Sequence, residues 1–199
     1  MNLIECLDEA RTRWNLLEHP FYRRWERGEL TTPELAFYAG EYRHAVVALA
    51  RTAAVGGSPA HAREEAAHVA LWDEFAAALD APLDRPPTPE TQACADAWTA
   101  SEPIEAASIM YAVEAGQPDI AATKLAGLTE HYGFEDSAPG TAYFSVHSQR
   151  DHAHAREARG LLEASASPAD TERLVGAGER ALEANWKLLD AVEAYSGVT

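Results

Sequence analysis

Four times in this chain a hydroxyl residue stands directly before a proline: Thr32-Pro33, Ser58-Pro59, Thr88-Pro89 and Ser167-Pro168. A serine or threonine side chain accepts a hydrogen bond from an N–H of a helix's first turn that has no partner within the helix. A proline just after it has its φ pre-set for the helix and lacks an N–H that would be orphaned there. The pair therefore marks a helix start, and its recurrence cuts the chain into helical lengths. No stretch alternates apolar and polar residues in the manner of a strand. The expectation is an all-α fold, one domain over residues 1–199, arranged as a bundle of about seven helices.

Apolar periodicity places those helices. Ile4, Leu7, Trp14 and Leu17 mark the first, over residues 2–18, stopped before Pro20. Phe21 to Trp25 reads as a short aromatic turn closed by Gly28. The second helix runs over 32–55 and the third over 59–80, and the connection 81–87 is too short to act as a linker between domains. A fourth covers 89–99. A fifth starts at Ser101-Glu102-Pro103, is interrupted at Gly116-Gln117-Pro118 and resumes to His131. A central helix spans 141–163 and a last one 169–195.

Composition excludes some functions. The chain carries 16 basic against 32 acidic residues, a formal charge of −16. Nucleic acid is not an expected partner, because phosphate binding needs a basic face. Cys6 and Cys94 have no metal or redox spacing, which fits a reduced, cytoplasmic setting. The N-terminus has no basic region of the secretory kind, and no apolar run suits a membrane span.

The candidate chemistry centres on His147-Ser148-Gln149-Arg150-Asp151-His152-Ala153-His154. On a helix, positions 147, 151 and 154 fall within about 60° of one another, and His152 points elsewhere. Two imidazoles and a carboxylate on one face form a ligand set for iron, manganese or zinc. The third helix offers His61, Glu64, Glu65 and His68, close enough in spacing to reach a common point. Glu114 ends an apolar run just before the interruption, where it either caps the break or serves a site. Each of these sets also reads as an ordinary polar helix face. Together, on three helices of a bundle, they suit a dinuclear centre, since carboxylates bridge cations. Structural zinc is less suited, because no cysteine-rich four-ligand set is present. Lys124 stands out separately: of only two lysines against 14 arginines, it lies in the apolar stretch IAATKLAGL. Such a lysine either snorkels to the surface or is held where its pKa shifts and it can act chemically.

HPFYRRWERGELTTPELAFYAGEYRH, the third helix followed by LWDEF, YAVEAGQPDIAATKLAGL and YFSVHSQRDHAHA together resemble the heme-oxygenase-like superfamily. That superfamily holds the TenA thiaminases, the PqqC oxidases and the diiron oxidases and oxygenases. The likeness covers most of the chain and is greatest to the 4-aminobenzoate-forming branch. It implies a TenA/PqqC-like bundle and a non-heme dimetal site of two Fe ions, or a Mn/Fe pair, with O2 as co-substrate. The family's ligands fall on His68, Glu114, His147, Asp151 and His154. Its first ligand is usually a glutamate seven residues before the histidine. Here that place holds His61, and the connection before His68 is shorter than in the family, so His61, Glu64 and Glu65 all remain candidates.

In the aminobenzoate-forming branch, tyrosines of the protein supply the ring and a lysine the nitrogen. The matching places are Tyr22, Tyr38 and Lys124; both tyrosines also read as core aromatics. The expected partners are a small-molecule or self-derived substrate, an external reductant and a second copy in a homodimer. Rival readings are oxidation of a small amine or amino acid, and a metal-free TenA-like enzyme acting on a thiamin fragment. The chain has no cysteine in the mid-chain context that a thiaminase uses. Nothing in it argues for a protein that acts by interaction alone.

Overall fold

The helix-start marks do their work at each place, with one shift of register. The computed structural model describes residues 2–196, except the side chains of Arg150, Asp151 and Ser196. Ser58 Oγ accepts the His61 N–H at 3.2 Å, and Thr88 Oγ1 accepts the Thr91 N–H at 3.2 Å. At the first mark the cap is Thr31 rather than Thr32. Glu34, three residues on, returns its carboxylate to the Thr31 N–H at 2.6 Å, while Thr31 Oγ1 accepts the Glu34 N–H. That reciprocal pair outweighs the hydroxyl next to proline. Ser167-Pro168 opens a single 3-10 turn, Pro168–Asp170, which runs straight into the last helix.

Nine α-helices form among the described residues: α1 (Leu3–Arg13), α2 (Pro20–Glu26), α3 (Thr32–Gly56), α4 (Pro59–Ala78), α5 (Pro89–Ala97), α6 (Pro103–Glu114), α7 (Gln117–His131), α8 (Ala142–Ser165) and α9 (Thr171–Ser196). The all-α class is as expected, and the two additional helices have local causes. The aromatic turn is a helix, α2, because His19 Nδ1 accepts the Phe21 N–H at 3.1 Å and Pro20 occupies the first helical position. The interrupted fifth helix is two, α6 and α7, with Pro118 in the first turn of α7. The first helix also ends early, at Arg13. Asn15 bonds back to the Leu17 N–H at 3.2 Å and turns the chain into a 3-10 turn, Leu16–Glu18.

α3 pairs with α4, α8 lies against both α6 and α7, and α9 closes the bundle over α1, α5 and α6. Three fully buried tryptophans fasten these layers. Each indole N–H donates to a carbonyl of another helix: Trp25 to Lys124 at 3.1 Å, Trp72 to Ala39 at 2.8 Å, Trp98 to Ala181 at 3.0 Å. A buried indole so satisfied contributes its apolar area without an orphaned donor. The core it closes is unusually aromatic, with Phe21, Tyr22, Tyr38, Tyr42, Phe75 and Phe144 all buried. Among the described residues no helix is long and apolar enough to cross a membrane.

Candidate metal centre

α4 presents His61, Glu65 and His68 on one face, at i, i+4 and i+7, all buried. α8 crosses α4 and brings His147 and His154, likewise buried. The end of α6 adds Glu114, 1% exposed. The imidazoles meet in two pairs across the α4–α8 contact. His61 stacks on His154 with ring centres 4.0 Å apart, and His68 meets His147 at 4.3 Å.

Glu65 stands between the two pairs. Its Oε1 is 2.9 Å from His68 Nδ1, 3.7 Å from His154 Nδ1 and 3.9 Å from His61 Nε2. His61 Nε2 is in turn 3.0 Å from Glu114 Oε1. Ligand atoms of His61, Glu65, Glu114 and His154 all lie within 4.8 Å of one another. Burial pushes the Glu65 carboxyl up, but the neighbouring His68 and the charges of His147 and His61 outweigh it and hold it below the usual carboxylate range.

Glu65 Oε1 and His68 Nδ1 form a buried ion pair at 2.9 Å. Four imidazoles and two carboxylates gathered in one buried place are costly to desolvate unless they share a cation. A divalent cation suits imidazole nitrogens and carboxylate oxygens. The donor set and its burial fit a metal site.

The remaining candidates separate by position. Glu64 sits at the rim, with its side chain 38% exposed and its Oε2 3.1 Å from His154 Nε2. His152 is exposed, as its place on the helix suggested. The side chain of Asp151 lies outside the described residues. A recess of about 310 Å³ opens over the centre, lined by His61, Glu64, Ala153 and His154. Glu157 closes one side by accepting the Ser58 N–H at 2.8 Å.

Tyr22, Tyr38 and Lys124 come together at a second place. Lys124 Nζ donates to Tyr38 Oη at 2.8 Å, and the Tyr38 and Tyr22 hydroxyls are 3.1 Å apart. Three rings cage the amine, with centres 4.7 Å away for Tyr22, 5.3 Å for Tyr38 and 4.8 Å for Tyr42. Lys124 is 3% exposed and does not snorkel. Burial pushes its ammonium well below the ordinary lysine range. Burial likewise holds the Tyr22 and Tyr38 hydroxyls well above the ordinary range, protonated.

Sequence reasoning passed over the side chains that join the two places. The Tyr143 ring is 4.1 Å from His147 and 4.8 Å from Trp72, and Trp72 is 5.8 Å from Tyr38. The signal was present in the spacing: Trp72 is one helical turn after His68, and Tyr143 one turn before His147.

A family model described as iron-containing redox enzyme matches residues 56–186. A protein of Nitrosomonas europaea named 4-aminobenzoate synthase is 32% identical over 211 residues, covering 89% of this chain and 85% of its own. One of Chlamydia muridarum with the same name is 28% identical, covering 96% and 90%. Among solved structures, a Shewanella denitrificans domain with a heme oxygenase-like fold superposes with a TM-score of 0.78 at 21% identity, covering 100% of this chain and 94% of that one.

Proposed function

The chain belongs to the iron-containing redox enzyme family, and from that premise we propose that it forms 4-aminobenzoate from its own side chains. The ring would come from Tyr22 or Tyr38 and the nitrogen from Lys124. The observation that carries this reading is the buried Lys124–Tyr38–Tyr22 chain of contacts at 2.8 and 3.1 Å. Burial favours the neutral amine, whose free lone pair an ordinary exposed lysine seldom presents. The amine also sits over the tyrosine rings it would have to attack. Relatives named 4-aminobenzoate synthase support the same product.

The centre between α4, α6 and α8 would hold two irons, or a manganese–iron pair. The ligands are His61, Glu65, His68, Glu114, His147 and His154, joined by Asp151 through its place one turn after His147. Glu65, between the two histidine pairs, would be the central carboxylate of the set. Glu64 acts one step out, holding His154 Nε2 so that Nδ1 faces the centre, as outer carboxylates do for metal-bound histidines. Metals held there would supply the capacity to bind and reduce O2. The recess lined by His61 and Glu64 is the approach for O2 and for an external reductant. Tyr143 and Trp72 fill the gap between the centre and Tyr38 with rings in contact, a route for electrons between the two places. Their burial keeps water from the reacting side chains.

Protein loaded with ferrous iron and given O2 and a reductant should release 4-aminobenzoate with no aromatic substrate added. The yield should not exceed one per chain, because the source is consumed. Lys124→Ala and Tyr22→Phe should abolish or sharply reduce it with iron content unchanged. Repeated turnover of an added amine, with Tyr22→Phe tolerated, would instead establish an ordinary diiron oxidase.

A further inference from the structure

His19 is fully buried, and the chemistry described above does not use it. Its two ring nitrogens have different partners. Nδ1 accepts the Phe21 N–H at 3.1 Å and so caps α2, while Nε2 lies 3.1 Å from Asp190 Oδ1 on α9. A ring nitrogen that accepts carries no proton, so the proton of the neutral ring is on Nε2 and is donated to Asp190. The contacts thus assign one protonation state, the neutral Nε2–H tautomer. Trp186, also on α9, meets the imidazole edge to face with ring centres 4.7 Å apart.

α2 has seven residues, and one of them is Tyr22. So short a helix has little stability of its own and keeps its place through its contacts. Side-chain hydrogen bonds tie it at both ends. At its far end Trp25 donates to the Lys124 carbonyl of α7 at 3.1 Å. At its start His19 joins it to α9. Between the two ties Tyr22 reaches the Tyr38 hydroxyl at 3.1 Å and turns its ring to Lys124 Nζ. A second proton on His19 would set an N–H at Nδ1 against the Phe21 N–H, two donors with no acceptor between them, and the cap would be lost. The charged groups facing the imidazole are Asp190 and Glu193, both on α9, and Glu193 is paired with Arg24 of α2. Closer in the chain, Glu18 and Arg23 are paired with each other. Burial disfavours the imidazolium by more than the carboxylates favour it, so the folded ring titrates below the ordinary histidine value of about 6.5.

We propose that His19 is a positioning residue for Tyr22: in its neutral Nε2–H form it seats α2 between α7 and α9, and mild acid unseats α2 by adding the second proton. The importance of Tyr22 rests on the function proposed above, whereas the seat itself does not. The sign follows from burial of the ring. When α2 opens, the freed imidazole takes up a proton at about pH 6.5, while the seated ring does so only at lower pH. The open form therefore binds more protons, and the contribution of His19 to the seat is whole above about pH 6.5 and declines below it until the seated ring is itself protonated.

The test is amide hydrogen exchange of iron-loaded protein under nitrogen, read by mass spectrometry on α2 from pH 7 to about pH 5, corrected for the intrinsic pH dependence of exchange and with iron content measured at each pH. Protection of α2 in the wild type should fall by about fivefold across that range, the worth of one helix cap, while protection of α5 is kept. His19→Asn keeps a capping oxygen that does not titrate but gives up the tie to Asp190. Its α2 should be less protected by about threefold at pH 7 and should not change with pH. Asp190→Ala, at an exposed side chain, cuts the same tie and should match that loss at pH 7 while keeping the fall in acid. His19→Leu has neither cap nor tie and should lose protection of α2 at both ends of the range, with the 4-aminobenzoate yield sharply lower and iron content unchanged. His19→Asn should keep most of that yield at pH 7, and the yield of the wild type relative to it should drop as the pH falls, which a merely structural histidine would not produce. Should His19→Leu not fold, the pH series and the other two variants decide. Protection of wild-type α2 that does not vary with pH, a fall of equal size in His19→Asn, or product from His19→Leu at the wild-type yield would each overturn the proposal. Protection that responds as described in a protein that forms no 4-aminobenzoate upholds the seat of Tyr22 and removes the function above.

Discussion

A lysine with no access to water holds its charge at a high cost, and Lys124 is such a lysine. In the unfolded chain its amine is protonated at neutral pH, while burial in the folded chain disfavours the proton. The unfolded state therefore binds more protons, and this group's contribution makes stability rise with pH until the ordinary lysine pKa of about 10.4 is reached. Lys124→Met should remove that dependence. The variant should be more stable than the parent at pH 7, by about 2–4 °C in Tm for each kcal/mol gained, and the gap should narrow by pH 9.5. Urea unfolding at the two pH values measures it. A variant less stable at pH 7, with the parent showing no slope, would mean the amine is charged and paired in the fold. Glu64 and Glu65 make a second contrast at this scale. Glu65→Gln should cut bound iron from about two per chain to one or fewer, because the carboxylate central to the cluster is lost. Glu64→Gln should keep the full complement at saturation and weaken affinity by about 10–100-fold. Equal behaviour of the two variants would remove the distinction between inner and outer carboxylate.

At the level of the element, the α6–α7 break and the fit of α2 on α7 do the positioning. Ending α6 at Glu114 leaves a carboxylate at the buried tip of an otherwise apolar helix, and restarting at Gln117 lets α7 carry Lys124 to the aromatic cage. α2 approaches α7 so closely that it needs a glycine there. A Cβ on Gly127 would lie 2.6 Å from Trp25 Cδ1 and 2.8 Å from its Nε1. Alanine at that position gains about 1 kcal/mol of helix propensity. It also forces a fully buried indole to move, an overpacking cost of about 1–3 kcal/mol, and Trp25 cannot yield cheaply because it is bonded to the Lys124 carbonyl. Gly127→Ala should therefore lower thermal stability. It should also lower 4-aminobenzoate yield, since Tyr22 rides on the same helix as Trp25. A rise in Tm would show that α2 repacks freely.

For the molecule as a whole, the candidate metal centre is where three helices distant in sequence are tied together. α4, α6 and α8 each supply side chains to one buried cluster, so metal binding favours the folded state over the unfolded one. At a free metal concentration of about 100 times Kd the gain is about 2.7 kcal/mol, or about 5–10 °C in Tm for a chain of this size. Calorimetry of metal-loaded and chelator-treated protein should show that difference, and Glu65→Gln should shrink it. Melting that is indifferent to metal would place the ions outside the folded core.

The all-α class and most helix starts are legible in the chain because they depend on local chemistry, while the turns at Asn15 and His19 and the full break before Gln117 are not. A capping hydroxyl, a proline in the first turn and an apolar stripe act within a few residues of each other. The histidines at 61, 68, 147 and 154 could likewise be picked out, since one helix face collects residues three, four and seven apart, and Glu114 by its place at the end of an apolar run. What local chemistry could not decide was which of His61, Glu64 and Glu65 faces inward. They are neighbours on one helix, and only the crossing of α8 over α4 puts Glu65 between the histidine pairs and leaves Glu64 at the rim. The same holds for Lys124. Its apolar context suited a lysine reaching the surface as well as one held inside. Tyr22, Tyr38 and Tyr42 come from segments some 80 to 100 residues away in the chain, and it is their convergence that excludes water and lowers its pKa. Burial is a property of the assembled bundle, so the chemistry that depends on it is settled only there.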